Sequence, residues 1–127
     1  MSGSSAFERR EFGAGSIIFK EGEEASDAYL IESGTVEIAI RSKHDRRVVV
    51  NELTRGDLFG EMALIAGCKR TAAAVAVSDV CVIVVSRETF DEKLAAIDPV
   101  MGRVLSTLVK KLHLTSRRHV EEVAKIR

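Results

Sequence analysis

The chain has 127 residues, 46% of them apolar and 30% charged, which is typical of one globular domain with a single hydrophobic core. Basic and acidic residues number 19 each, and a zero formal net charge gives no support for a protein that binds nucleic acid or anionic membranes through bulk charge. No apolar stretch reaches the roughly 18 residues of a membrane span, and two cysteines without metal-ligand spacing favour a reducing, cytoplasmic location.

The N-terminal segment predicts a leader. It begins with Met1–Ser5, which lack the charged and apolar regions of a signal peptide. We expect residues 1–11 to be disordered or to form a short helix. The domain is expected over 12–127, with a barrel over about 12–86 and helices over about 87–127.

Short strands separated by glycine turns are predicted for the first two thirds of the chain. Val36, Ile38 and Ile40 alternate with their neighbours at the period of a half-buried strand. The dipeptide Ser33-Gly34 predicts a tight hairpin between this strand and the one before it. The other predicted strands are 16–20, 28–31, 48–53 and the two halves of 72–85, which Ser78-Asp79 divides. Strands at this spacing indicate a barrel or jelly roll.

Two helices are predicted for the last third of the chain. Ser86 can cap a helix over 87–96, with Glu88 in its first turn. Asp98-Pro99 is a second start signal, a capping carboxylate followed by proline at the first helical position. Neither proline nor glycine interrupts the chain after Gly102, so a long terminal helix is expected.

The long helix carries an apolar seam whose spacings alternate between four and three. Its members are Leu105, Val109, Leu112, Ser116, His119, Val123 and Ile126. This is the periodicity of a coiled coil, sustained for about three heptads. It favours a homodimer through the C-terminal helix, and a helix packed on its own barrel is the alternative.

The candidate chemistry lies in residues 59–65 and 70–72. Gly60 lets the backbone approach a ligand closely, and the start of the short helical turn after it offers N–H groups to a phosphate. The Glu61 carboxylate suits a ribose hydroxyl, and the Arg70 guanidinium suits phosphate oxygens. The Thr71 hydroxyl can donate to a phosphate oxygen or a purine edge. A surface salt bridge between Glu61 and Arg70 fits the same spacing, so spacing alone leaves both interpretations open.

This cassette resembles the phosphate-binding cassette of cyclic nucleotide-binding domains. The resemblance covers roughly residues 12–120, and it includes GSIIFKEGE at 15–23, DAYLIESGTV at 27–36 and GDLFGE at 56–61. It implies a mainly β fold with helices, a β-roll or jelly-roll barrel of the double-stranded β-helix type. A short cassette helix and two C-terminal helices, the last one long, would complete it.

The resemblance also implies a ligand site. Its residues would be Phe59, Gly60, Glu61, Met62, Ala63, Arg70, Thr71 and Ala72. Gly60 and Ala63 would give backbone N–H groups to the cyclic phosphate, Glu61 would hold the ribose 2′-hydroxyl, and Arg70 would hold the phosphate. Threonine at position 71 is associated in the family with tolerance of cyclic GMP. Lys69 departs from the family, many of whose eukaryotic members have proline there.

A second resemblance concerns the long helix. The run LHLTS at 112–116 is similar to the central helix of bacterial catabolite activator proteins, where a threonine-serine pair reaches adenine. It implies that Thr115, and Ser116 from the partner chain, contact the base of the ligand.

The resulting interpretation is a sensor that binds cyclic AMP, more than cyclic GMP, and moves its terminal helices over the base. It is expected to have no catalytic activity, cofactor or metal, and no residue pattern identifies its effector. One alternative is a degenerate module that dimerises without ligand. The other is a cupin-type metalloenzyme, which needs a histidine pair and a glutamate where this barrel region has only His44.

Overall fold

The computed structural model describes residues 7–64 and 69–111. Within them, strands form two four-stranded antiparallel sheets, in the orders β1-β8-β3-β6 and β2-β7-β4-β5. The strands are β1 (Glu8–Phe12), β2 (Ile17–Phe19), β3 (Asp27–Ser33), β4 (Val36–Arg41), β5 (Arg47–Leu53), β6 (Leu58–Phe59), β7 (Ala73–Ala76) and β8 (Val80–Ser86). The mainly β fold is confirmed, and so is each strand that the sequence predicts between residues 16 and 85.

The N-terminal segment differs from its expectation. A disordered or helical leader over residues 1–11 is wrong for residues 8–11, because Glu8–Phe12 form β1 and pair antiparallel with β8 from Glu8–Val84 to Phe12–Val80. Pairing satisfies backbone donors and acceptors along one side of β8, which would otherwise be an open sheet edge. Residues 1–6 lie outside the described part.

The hairpin expected at Ser33-Gly34 is also wrong. Strands β3 and β4 lie in different sheets, and the turn carries the chain from one sheet to the other. Gly34 has φ +92°, and a Cβ there would lie 2.2 Å from the carbonyl oxygen of Asp79. Thr35 accepts a bond from the Val77 N–H at 2.9 Å. The turn therefore packs against the β7–β8 connection, which a turn motif in the sequence does not specify.

The alternation along β4 breaks at a bulge. A strict period of two assigns Ala39 to the outer face, but Ala39 and Ile40 are both buried, at 2% and 3% exposure. The register of β4 against β5 shifts between Ile38 and Ala39. Because a bulge adds one residue to one strand, two successive side chains can face the same side.

The core lies between the two sheets. The inward positions of β8 are Val80, Val82 and Val84, and those of β7 are Ala74 and Ala76. These alternate positions confirm that Ser78-Asp79 divides the apolar stretch into two strands. The remaining buried members of the core are Phe19, Tyr29, Ile31, Val36 and Phe59.

Both helix start signals are confirmed. Helix α1 (Arg87–Ala95) begins after Ser86, whose hydroxyl accepts a bond from the Thr89 N–H at 3.1 Å. Helix α2 covers 99–111 of the described residues, and the Asp98 carboxylate accepts a bond from the Val100 N–H at 2.9 Å. No helix in this part of the chain is long and apolar enough to cross a membrane.

Replacing Ser86 with alanine is expected to lower the free energy of unfolding by about 1 kcal/mol, because the Thr89 N–H loses its acceptor. Urea denaturation measures the change. Ser86→Asp restores a capping oxygen and is expected to remain close to wild type. Equal losses in both variants would show that the cap does not stabilise this helix.

Candidate functional site

The Gly60 turn connects the end of β6 to a single 3-10 turn over Glu61–Leu64. Gly60 has φ +72°, a conformation that favours glycine. The Ala63 N–H donates to the Gly60 carbonyl oxygen at 3.2 Å, the i to i+3 bond of such a turn. The Ala63 N–H, one of the two that the resemblance assigns to the ligand phosphate, is thus engaged within the turn in this structure.

Backbone hydrogen bonds fix the main chain of Arg70 on both sides. Its N–H donates to the Glu23 carbonyl at 2.7 Å, and its own carbonyl accepts from the Gly22 N–H at 2.8 Å. The side chain points inward, and the residue is only 8% exposed. This burial rules out the alternative that Arg70 belongs to a surface salt bridge on an ordinary loop.

The guanidinium of Arg70 reaches the Gly60 turn. Its Nη1 donates to the Gly60 carbonyl oxygen at 3.4 Å. A Cβ on Gly60 would lie only 2.8 Å from that Nη1 atom, so the close approach requires glycine. The Nε atom of Arg70 is buried and has no hydrogen-bond partner among the described residues. The structure thus brings Gly60 and Arg70 together, and within residues 7–64 and 69–111 it gives this buried N–H donor no acceptor.

An aromatic cluster of Phe19, Tyr29 and Phe59 lies beside this guanidinium. The Cζ atom of Arg70 is 4.0 Å from the centre of the Phe19 ring and 5.6 Å from that of the Tyr29 ring. The three rings contact one another, with centres 5.2–6.0 Å apart. Ring faces carry partial negative charge, so they stabilise a cation placed over them.

Burial lowers the pKa of the Arg70 guanidinium, while Tyr29, Asp27 and Glu23 act in the opposite direction. An arginine nevertheless stays protonated in a protein. The site therefore holds a permanent positive charge in a partly desolvated position. A buried cation beside a glycine turn, with a donor that no described residue accepts from, is suited to bind an anionic oxygen.

The other predicted residues lie on either side of this centre. Glu61, Met62 and Thr71 are half-buried, and Ala63 and Ala72 are buried at 1% and 7% exposure. Lys69 is exposed, and its Nζ lies 3.9 Å from a Glu24 carboxylate oxygen. Residues 65–68 of the cassette lie outside the described residues, as do Thr115 and Ser116, which the resemblance assigns to the base of the ligand.

Sequence reasoning missed the residues that hold Arg70 in place. The sequence predicts Phe19 and Tyr29 only as strand residues, and it gives no sign of the backbone bonds from Gly22 and Glu23 to Arg70. One signal was available, because the chain has only five phenylalanines and one tyrosine, and three of these six rings form the cluster. So sparse a set of aromatic residues makes each one a candidate for a specific role.

Metal ligands are a separate question. Among residues 7–64 and 69–111, no group of three or more histidine, cysteine, aspartate or glutamate side chains is arranged to hold a metal ion.

Comparison with known proteins gives one family and several relatives. A family model described as the cyclic nucleotide-binding domain matches residues 9–96. A cAMP-dependent protein kinase regulatory subunit of Pyricularia oryzae is 31% identical over 105 residues, which are 83% of this chain and 26% of that protein. The cGMP-dependent protein kinase 2 of Mus musculus is 35% identical over 86 residues, 66% of this chain and 11% of that protein. The chain therefore spans about a quarter of the length of these relatives, or less.

Solved structures share the fold. The cAMP-bound form of the EAL enzyme Bd1971 superposes with a TM-score of 0.68 and 31% identity, over 87% of this chain and 30% of that one. Its cGMP-bound form gives 0.69 and 29%, over 91% and 31%. The catabolite activator protein of Thermus thermophilus gives 0.77 and 27%, over 95% of this chain and 56% of that one.

Proposed function

The chain belongs to the cyclic nucleotide-binding domain family, and from this premise we propose that it binds a cyclic nucleotide and acts as a regulatory sensor without catalytic activity. The ligand anchors at Phe59–Ala63 and at Arg70, Thr71 and Ala72. Cyclic AMP is preferred over cyclic GMP. The cysteine content favours a cytoplasmic location.

The observation that carries the proposal is the buried Arg70 guanidinium. It is 8% exposed, its Nε lacks a partner among the described residues, and its Nη1 reaches the Gly60 turn. Burying a charge is costly unless a counterion or hydrogen bonds compensate it. A singly charged cyclic phosphate at the Gly60 turn supplies that compensation. Glu61, at the first position of the 3-10 turn, then takes the ribose 2′-hydroxyl.

Relatives of both ligand types support the ligand class. The regulatory subunit of Pyricularia oryzae is named for cAMP, the kinase of Mus musculus for cGMP, and Bd1971 has a structure with each nucleotide. The preference for cyclic AMP in this chain rests on the run at 112–116, where Thr115 and Ser116 are proposed to contact the adenine.

The sensor mechanism places the C-terminal helices over the base as a lid and joins two chains through the long helix. Helices α1 and α2 together line a cleft of about 590 Å³. Five large apolar side chains on α2 are 38–70% exposed, namely Val100, Met101, Val104, Leu105 and Leu108, whereas Val109 of the predicted seam is half-buried. Such a stripe favours a second copy as its partner and argues against a helix packed on its own barrel. The sheets are proposed to close into the β-roll of the family.

The proposal is tested by adding cyclic AMP, cyclic GMP, 5′-AMP or adenosine to the chain. Calorimetry then measures both binding and the temperature of unfolding. Cyclic AMP at 100 times its Kd should stabilise the fold by about 2.7 kcal/mol, which corresponds to a rise in Tm of roughly 10 °C. Adenosine, which lacks the phosphate, should give no shift at the same concentration. A chain that no cyclic nucleotide stabilises at millimolar concentration would instead be the degenerate dimerisation module.

Replacing Thr71 with alanine is expected to weaken cyclic GMP by roughly 2- to 10-fold and cyclic AMP by less, because one hydroxyl donor to the purine edge is lost. Competition titration with both nucleotides measures the two changes. Thr71→Ser keeps the hydroxyl and should retain the wild-type ratio of affinities. A larger loss for cyclic AMP than for cyclic GMP would remove this role from Thr71.

A further inference from the structure

The contact between Phe19 and Arg70 uses a part of the guanidinium that a ligand does not need. The five N–H donors of arginine lie in the plane of the group, whereas a ring contacts its face. The Cζ atom of Arg70 lies over the Phe19 ring, 4.0 Å from the ring centre, in a cation–π contact to which phenylalanine brings no hydrogen-bond acceptor. The ring and an anion can therefore bind Arg70 at the same time.

We propose that Phe19 is a positioning residue of the phosphate site, whose ring holds the Arg70 guanidinium in place before the ligand arrives. The inference rests on the proposed function, since it concerns the same site. It adds a residue from β2, some 40 positions before the cassette, to the determinants of affinity.

Phe19 is suited to this role because it is itself held firmly. Its ring is 7% exposed and lies 6.0 Å from the rings of both Tyr29 and Phe59. Its strand pairs with β7, where Phe19 lies opposite Ala74, four residues after Arg70. The Gly22 N–H, three residues after Phe19, donates to the Arg70 carbonyl. Hydrogen bonds thus join the backbone segment that carries the Phe19 ring to the segment that carries the Arg70 side chain.

Holding the side chain matters because arginine has many rotamers. Ordering a long charged side chain at the moment of binding costs conformational entropy, and a site ordered in advance avoids that loss. The contact also stabilises the positive charge in a buried position. Without the ring, the ligand would have to order Arg70 itself, and affinity would fall although no atom that touches the ligand is changed.

The first test is a double-mutant cycle in the full chain, read by calorimetric titration with cyclic AMP. Phe19→Leu is expected to weaken binding roughly 3- to 30-fold, the range of a partly desolvated cation–π contact. In an Arg70→Gln background the same change should cost less than about 2-fold, because no cation remains over the ring. The control is Phe12→Leu, which truncates another phenylalanine that packs against the core.

The second test keeps the packing of Phe19. Phenylalanine carrying one and then three fluorine atoms is incorporated at position 19, which withdraws charge from the ring face with little change of shape. Affinity should fall stepwise with fluorination. In the ligand-free chain, NMR should show the Arg70 Nε proton shielded by the ring, and Phe19→Leu should abolish that shielding.

The outcomes of these tests separate a positioning role of Phe19 from a packing role, and both from a failure of the proposed function. Unchanged or tighter binding in Phe19→Leu, or equal affinities across the fluorinated series, would overturn the positioning role while leaving the proposed function standing. A loss in Phe19→Leu that is as large in the Arg70→Gln background would assign the effect to packing and also overturn the role. Failure of the wild-type chain to bind any cyclic nucleotide would instead overturn the proposed function, and the positioning role with it.

Discussion

Replacing Arg70 with alanine is expected to weaken cyclic AMP binding by about 2–5 kcal/mol, the cost of leaving a desolvated phosphate without its charged partner. The guanidinium is 8% exposed and reaches the Gly60 turn, so solvent screens it little. Calorimetric titration of wild type and variant gives the difference directly. Far-UV circular dichroism of the variant checks that the sheets remain folded, since the change also removes the contact with Phe19.

Lys69 offers a matched control for the effect of charge. It is the neighbouring cation, but it is exposed, and its distance to the Glu24 carboxylate is 3.9 Å. Exposed charges contribute little to binding and are screened by salt. Lys69→Ala should therefore change affinity by less than about 3-fold. Similar losses in the two variants would mean that the general positive charge of this segment attracts the ligand, and that Arg70 has no specific role.

Local signals in the sequence predicted where the helices begin. A cap acts on N–H groups two or three residues away, so Ser86 and Asp98 carry their information within one turn. The strands were equally visible, since alternate burial leaves a period of two in the sequence. The sequence predicts these helix starts and strands because the residues that determine each of them lie close together in the chain.

Strand pairing could not be predicted in the same way. The turn at Ser33-Gly34 has the composition of a hairpin, yet its conformation depends on the backbone of Asp79 some 45 residues later. The bulge at Ala39 and the pairing of Glu8–Phe12 with β8 likewise depend on distant strands. A pattern of alternation states that a strand exists, but not which strand lies beside it.

The residues of the candidate site show the same contrast between neighbours in the sequence and residues that only the fold brings together. The cassette residues Phe59 and Gly60 are close in sequence, and the arginine follows ten positions later, so a motif could collect them. The rings that lie against the Arg70 guanidinium, Phe19 and Tyr29, come from β2 and β3, which belong to different sheets. Only the packing of one sheet on the other brings these rings together, which is why a motif in the sequence does not show which aromatic residues contact Arg70.

Replacing Gly60 with alanine is expected to weaken cyclic AMP binding roughly 10- to 100-fold, because the new methyl group displaces the Arg70 guanidinium. A Cβ at this position would lie 2.8 Å from Nη1 and 3.3 Å from the Asp27 carbonyl oxygen. The side chain of Arg70 is the more yielding neighbour, so the clash moves the group that is proposed to hold the phosphate. The positive φ adds strain of about 1–2 kcal/mol to the folded state.

Gly56→Ala separates these two effects. Gly56 has φ +91°, a positive value like the +72° of Gly60, but a Cβ there meets nothing within 4 Å. Urea denaturation should show stability losses of similar size in the two variants, since both place an alanine at positive φ. Titration should show the loss of affinity in Gly60→Ala alone, with Gly56→Ala within about 2-fold of wild type. If both variants bind cyclic AMP equally well, the approach of Arg70 to the Gly60 turn does not determine affinity, and the phosphate must be held by other groups.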